Sequence, residues 1–136
     1  MEKQAEALDL TVEMRTDFET AVEQLTAALK AEGFGILTEI DVRATMKKKL
    51  DVDFRPYLIL GACNPPLAHQ ALTIDPAVGK FLPCNVTVDQ EQENRIKISF
   101  LDPLMMSAFV DDPRIGPVAQ EAWQRLRRVA GALAEA

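Results

Sequence analysis

This chain of 136 residues is poor in the side chains that do metal or nucleophilic chemistry: it has two cysteines, one tryptophan, one tyrosine and a single histidine, His69. Zinc usually takes about four sulfur or imidazole ligands, and this chain is one short of that number. A catalytic cysteine–histidine pair would have to recruit that one imidazole. Positive charge is also scarce. Lys and Arg number 15 against 21 Asp and Glu, for a net charge of −6 and a pI near 4.8. A phosphate backbone is repelled by that balance, and no stretch interleaves several basic residues with aromatics, so nucleic acid is not an expected partner. No apolar run approaches the ~20 residues that span a bilayer, so a membrane is not an expected partner either. The start, Met1-Glu2-Lys3-Gln4-Ala5-Glu6, lacks an apolar core behind a basic end, and a cytoplasmic location is expected. No Gly-x-Ser-x-Gly elbow, Walker loop or Gly-x-Gly-x-x-Gly fingerprint is present, so no reaction class and no cofactor is indicated.

What is present suits one folded domain over residues 1–136. Apolar content of 48% and charged content of 26% are ordinary for a globular chain, and the length suffices for a core without disulfides. Leu8, Leu10, Val12 and Met14 alternate with polar residues at the period of a half-buried strand. Thr16-Asp17-Phe18-Glu19 fits a capping box with Thr16 as the cap, ahead of Phe18, Val22, Leu25 and Leu29 at helical spacing. Gly33 supplies a left-handed stop. Phe34, Ile36, Ile40 and Val42 then predict a strand with Glu39 and Asp41 on its other side, followed by a short basic helix from Arg43 to Leu50.

Tyr57 to Ala62 is apolar apart from its glycine and reads as a strand covered on both faces. Asn64-Pro65-Pro66 breaks it and starts a short helix, with Asn64 as cap. Cys84, Val86 and Val88 alternate in a further strand, Gln90 to Asn94 forms a polar hairpin loop, and Arg95 to Leu101 returns. Leu104 to Val110 has no clear period; Met105, Met106 and Phe109 read as core filler or as pocket lining. From Pro117 a closing helix carries Ala119, Ala122, Trp123, Leu126, Ala130 and Leu133 as its apolar stripe, and Arg125, Arg127 and Arg128 as a wet face offset by Glu121 and Glu135. The order β-α-β-β-β-β-α predicts an α+β fold: an antiparallel sheet with two long helices packed on one face and short helical inserts between strands. Tyr57, Ile59 and Cys63 would face one way and Leu58, Leu60 and Ala62 the other, and the row the helices leave open is expected to be covered by a homodimer interface or a small-molecule cleft.

The two cysteines occupy near-twin settings, Gly61-Ala62-Cys63-Asn64-Pro65 and Leu82-Pro83-Cys84-Asn85-Val86. If the two runs pair as antiparallel neighbours, the end of one lies beside the start of the next, and the thiols are close. These motifs, with Gly33-Phe34-Gly35-Ile36-Leu37-Thr38-Glu39-Ile40-Asp41-Val42 before them, resemble the bacterial and archaeal "domain of unknown function 302" family over about residues 8–110. The resemblance implies a TATA-box-binding-protein-like α+β fold, usually dimeric, without established catalysis.

Two cysteines in a chain without an export signal favour free thiols. The helix start after Cys63 is expected to lower its pKa, while Cys84, in line with Val86 and Val88, is expected to be raised by burial. Cys63, Cys84 and His69 are the only set from which an open metal site could be drawn, and their spacing does not recommend one. Asn64 and Asn85 suit caps or turns, or the holding of a polar ligand. Glu39 and Asp41 share a strand face, with Arg43 and Lys47 as possible partners; Asp51 and Asp53 form a weak Asp-x-Asp element. The expected function is a non-enzymatic module that binds or senses a small ligand at the Cys63/Cys84 corner. A thiol-dependent redox protein using Cys63, and a structural dimer with inert cysteines, are the alternatives.

Overall fold

A computed structural model describes residues 10–135, and Leu8 of the first expected strand lies outside them. The described residues form a five-stranded antiparallel sheet in the order β1-β5-β4-β3-β2. Its strands are β1 Leu10–Met14, β2 Gly35–Asp41, β3 Tyr57–Cys63, β4 Cys84–Gln92 and β5 Arg95–Phe100. Opposed residues on antiparallel neighbours point to the same side, so the register assigns the faces. Val12, Ile98, Val88 and Leu58 share one row, and Leu10, Phe100, Val86 and Leu60 the next. Against these rows pack helix α1 (Phe18–Ala31) through Leu25 and Leu29, and the long closing helix through Leu126, Val129 and Leu133. The fold is therefore α+β with both long helices on one face, as the element order predicts.

Several boundaries differ from the sequence reading for identifiable reasons. Asp17, not Thr16, caps α1: its carboxylate accepts from the Thr20 N–H at 3.2 Å and from the Thr20 hydroxyl. An ionised oxygen out-competes a hydroxyl one residue away for the same orphan amides. In β2 the register slips between Ile36 and Thr38, leaving Leu37 as an extra residue. A bulge of one residue reverses every side chain beyond it. Ile36 consequently faces the helices with Ala62, whereas Ile40 lies on the open face with Ile59. Glu39 and Asp41 move to the helix side, opposite Leu60 and Leu58, at an edge where both remain exposed.

The basic segment folds as helix α2 (Val42–Leu50), and no residue in it is buried. β4 runs on to Gln92, so the hairpin loop shrinks to Glu93 and Asn94, the latter in the left-handed region at φ 58°. β3 is not wrapped evenly: Leu60, Gly61 and Ala62 are buried, while Tyr57, Leu58 and Ile59 are half-buried. Gly61 is required by its neighbours. A Cβ there would collide with the Thr38 hydroxyl and lie 2.7 Å from Cγ of Pro83.

Helix α3 (Pro65–Ile74), a 3-10 turn (Pro76–Phe81), helix α4 (Met105–Phe109) and the start of helix α5 (Ile115–Ala134) enclose a second core of Ala71, Val78, Met106, Val110, Ile115 and Ala119. α5 begins two residues before the Pro117 expected to open it. The unclassified segment is thus α4, with Met106 buried and Phe109 exposed (72%) and stacked on Phe81 at 6.0 Å.

Candidate functional site

Helix α1 ends in a Schellman arrangement: the N–H of Phe34 reaches the Leu29 carbonyl at 2.9 Å, and that of Gly33 the Lys30 carbonyl at 3.0 Å. Gly33 makes the reversal at φ 84°. The Glu32 carbonyl, one of the orphan acceptors at a helix C-terminus, is left pointing outward. It accepts from Nδ2 of Asn64 at 3.4 Å and from Nη1 of Arg125 at 3.0 Å. The negative end of the α1 dipole favours that guanidinium. The Glu32 carboxylate is held in turn by Arg128 at 3.0 Å. Two of the arginines expected to be a solvated face are therefore tied across the fold to the end of α1. A Cβ at residue 33 would lie 2.9 Å from Nδ2 of Asn64, so the glycine also permits this close approach.

Around this knot lies a groove of about 470 Å³, lined by Gly33, Asn64, Pro66, Leu67, Gln70, Pro117, Val118, Glu121 and Arg125. That volume falls within the usual range for small-molecule sites. Its walls are the first turns of α3 and the N-terminal half of α5. Arg125 also donates through Nε to Oε2 of Glu121 at 2.7 Å, one helical turn away.

The cysteines lie just behind. β3 and β4 pair as expected, with Ala62 opposite Cys84, so Cys63 is one residue beyond that pair. Both thiols are free and both line a small cavity of about 20 Å³, together with Phe34, Ala62, Ala71 and Met106. That is room for about one water. Asn64, Leu67 and Val118 line this cavity and the outer groove alike. Burial pushes the Cys84 thiol up to about 11, with the nearby Cys63 adding to the rise. Cys63 is also pushed above the ordinary thiol value by burial, opposite to expectation. The helix start offers nothing to offset it: Pro65 and Pro66 carry no N–H, and the next donor, Leu67, is taken by Oδ1 of Asn64 at 3.2 Å. No amide remains there to stabilise a thiolate.

Other expected site residues are dispersed. His69 is exposed on α3 and does not line the thiol cavity. Among the described residues no three His, Cys, Asp or Glu side chains converge as a metal site, so Cys63, Cys84 and His69 do not form one. Asn85 is neither cap nor turn; it sits inside β4 opposite Gly61, exposed on the open face. Asp41 caps α2 by accepting from the Ala44 N–H at 2.9 Å. Glu39 is exposed beside it, and Lys47 pairs instead with Asp51 at 3.1 Å and Asp53 at 3.6 Å. Of the predicted set, only Cys63, Asn64 and Cys84 are brought together. Glu121, Arg125 and Gln70 join them without having been singled out; the four-residue spacing of Glu121 and Arg125 was the one signal available.

Among curated proteins the chain has no match. Among solved structures it resembles the crystal structure of an uncharacterized conserved DUF302 protein from Bacillus stearothermophilus, with 33% identity and a TM-score of 0.83, over 93% of this chain and 98% of that one. The family model "Domain of unknown function DUF302" matches residues 10–133, and with that span the chain belongs to the DUF302 family.

Proposed function

We propose that this protein is a non-enzymatic module that binds a small molecule in the groove over the Cys63/Cys84 corner. The observation that carries the reading is the position of Asn64. Its buried side chain caps α3 and ties α3 to α1, and it lines both the outer groove and the thiol cavity. A ligand that moves this amide is felt at both helices together, which is what a sensing module needs. The burial that raises both thiols weighs for this reading and against a redox role for Cys63. Two free thiols suit a reducing compartment such as the cytoplasm. The sheet would be of the TATA-box-binding-protein-like type, with no nucleic acid as ligand given the charge of −6.

A homodimer belongs to the same proposal, because apolar residues are exposed along β2 and the end of α2: Leu37, Ile40, Leu50 and Val52. Native mass spectrometry of untagged protein tests the binding reading. A stoichiometric small-molecule adduct is expected, lost in Gln70→Trp, which fills the groove from an exposed position. A bare protein mass, with a thermal midpoint that small-molecule extracts leave unchanged, would defeat it.

A further inference from the structure

Four arginine–carboxylate pairs among the described residues present the Nε edge of the guanidinium: two are two-pronged, Arg128 sets both Nε and Nη2 on Oε1 of Glu32 at 3.0 Å, and one, which lines the groove, uses Nε alone. Arg55 grips Asp89 through Nε and Nη2 onto both carboxylate oxygens, at 2.6 and 3.1 Å. Arg114 does the same to Asp112, at 3.1 and 2.7 Å. This two-pronged geometry is the preferred one for these groups. Arg125 meets Glu121 through Nε and Oε2 alone, at 2.7 Å, while its Nη1 is held by the Glu32 carbonyl. Nη2 of Arg125 and Oε1 of Glu121 are left without partners among the described residues, and both residues line the groove.

An unused donor edge and an unused acceptor oxygen thus stand side by side on one ion pair. A simple anion entering the groove gains the guanidinium but meets the Glu121 carboxylate at nearly the same distance, and a simple cation meets the reverse. Only a ligand carrying both charges gains from both partners. Nε and Oε2 are 2.7 Å apart, so the free edges lie only a few ångströms apart, the separation of ammonium and carboxylate on one α-carbon. The remaining lining offers apolar contact from Leu67, Pro117 and Val118 and an amide from Gln70.

We infer that the groove takes a small zwitterion of the free amino-acid class, its carboxylate on Nη2 of Arg125 and its ammonium on Oε1 of Glu121. The inference rests on the binding reading above and adds the ligand's chemistry. Binding forms no covalent bond and moves no proton.

The test is amide chemical-shift mapping on the intact wild-type chain with each of the twenty proteinogenic L-amino acids. The N-acetyl and carboxamide derivatives of those that bind, and acetate, complete the set of probes. Saturable shifts at Gly33, Leu67, Gln70 and Glu121 are expected with at least one zwitterion. Affinity should fall about ten-fold or more when either charge is removed. Glu121→Gln keeps an oxygen for Arg125 on a half-exposed helix position, so folding is not at stake. It should weaken the zwitterion by a similar factor and leave the N-acetyl derivative no weaker. Equal shifts at these residues with acetate or N-acetyl derivatives would overturn the zwitterion while keeping a ligand-binding groove. If no probe shifts any groove amide, the zwitterion is overturned, and if the native mass spectrum is also bare, the binding reading falls with it.

Discussion

Asp102 is 4% exposed, and only one of its carboxyl oxygens is satisfied: Oδ1 accepts from the Leu104 N–H at 2.8 Å, while Oδ2 has no partner among the described residues. Burial pushes its pKa above the ordinary value of 3.8, against the opposing pull of that hydrogen bond. An acid whose folded pKa is raised holds its proton longer in the folded than in the unfolded chain. Its contribution to stability is therefore complete at low pH and is lost as pH climbs from 3.8 through the folded value. Asp102→Asn retains the acceptor for Leu104 and removes the charge. It exchanges a buried charge for an amide that is neutral but likewise unpartnered at that atom, which should stabilise the protein at neutral pH by about 1 kcal/mol and flatten the fall of Tm with pH above 3.8. Thermal melts across that range decide it, and a variant less stable at neutral pH would refute the assignment. The thiols give a second expectation at this scale. With Cys84 at about 11, only about one part in ten thousand is thiolate at neutral pH. Alkylation of the native protein should be slow at both cysteines, Cys63 reacting before Cys84, and should accelerate sharply in denaturant. Rapid native modification of Cys63 would restore the thiol chemistry that burial argues against. The rise at Cys84 was readable from its alternation with Val86 and Val88. The rise at Cys63 comes from burial that the sequence does not show; only the lack of an offset at the helix start is readable, if Pro65 and Pro66 are seen as two missing donors rather than as a helix signal.

Elements were legible where a period of several residues repeats. Phe18, Val22, Leu25 and Leu29 place α1 within a turn, and the alternation from Cys84 and from Arg95 places β4 and β5. Single-residue events were not. The Leu37 bulge changes no pattern that can be counted in advance, yet it sends Ile40 to one face and Glu39 with Asp41 to the other. The α1 cap is such an event as well, and substitution can test it. Asp17→Ala removes the acceptor of both the Thr20 N–H and its hydroxyl and should lower the denaturation midpoint, as the loss of an N-cap does. Thr16→Ala removes a hydroxyl whose one recorded bond, to Asp17, is 3.4 Å long, and should be close to neutral. Chemical denaturation of the two variants separates them; a larger loss at Thr16 would return the cap to the capping box. Asp17 is held below its ordinary pKa by the Thr20 bonds, so its stabilising share should persist above 3.8 and disappear as pH falls through the lowered value.

At the scale of the whole molecule, the α+β class followed from element order alone, because strands in succession between two long amphipathic helices leave few ways to cover one sheet face. The groove did not follow. Its walls come from residues as far apart as Gly33 and Arg125, and only the folded chain shows that α1 ends where α3 begins and α5 passes. The open face lies between these cases. An uncovered apolar row follows from the run at Tyr57 to Ala62, but that it is the row of Tyr57 and Ile59 comes from the register, and Ile40 joins them through the bulge. The edge strand β2 carries Leu37 at 66% and Ile40 at 49% exposure, with Leu50 and Val52 exposed nearby. An edge strand with unpaired backbone and apolar side chains invites pairing with another copy. Charged residues are the usual device against it, so placing lysine there should reverse the outcome. The wild-type chain should sediment at twice 15.1 kDa at micromolar concentration, and Leu37→Lys with Ile40→Lys should shift it to the monomer mass with its circular dichroism unchanged. Neither position is buried, so loss of the dimer cannot be confused with loss of the fold. A wild-type protein that sediments as a monomer at those concentrations would remove the dimer from the proposal and leave the groove untouched, since its walls are built from one chain.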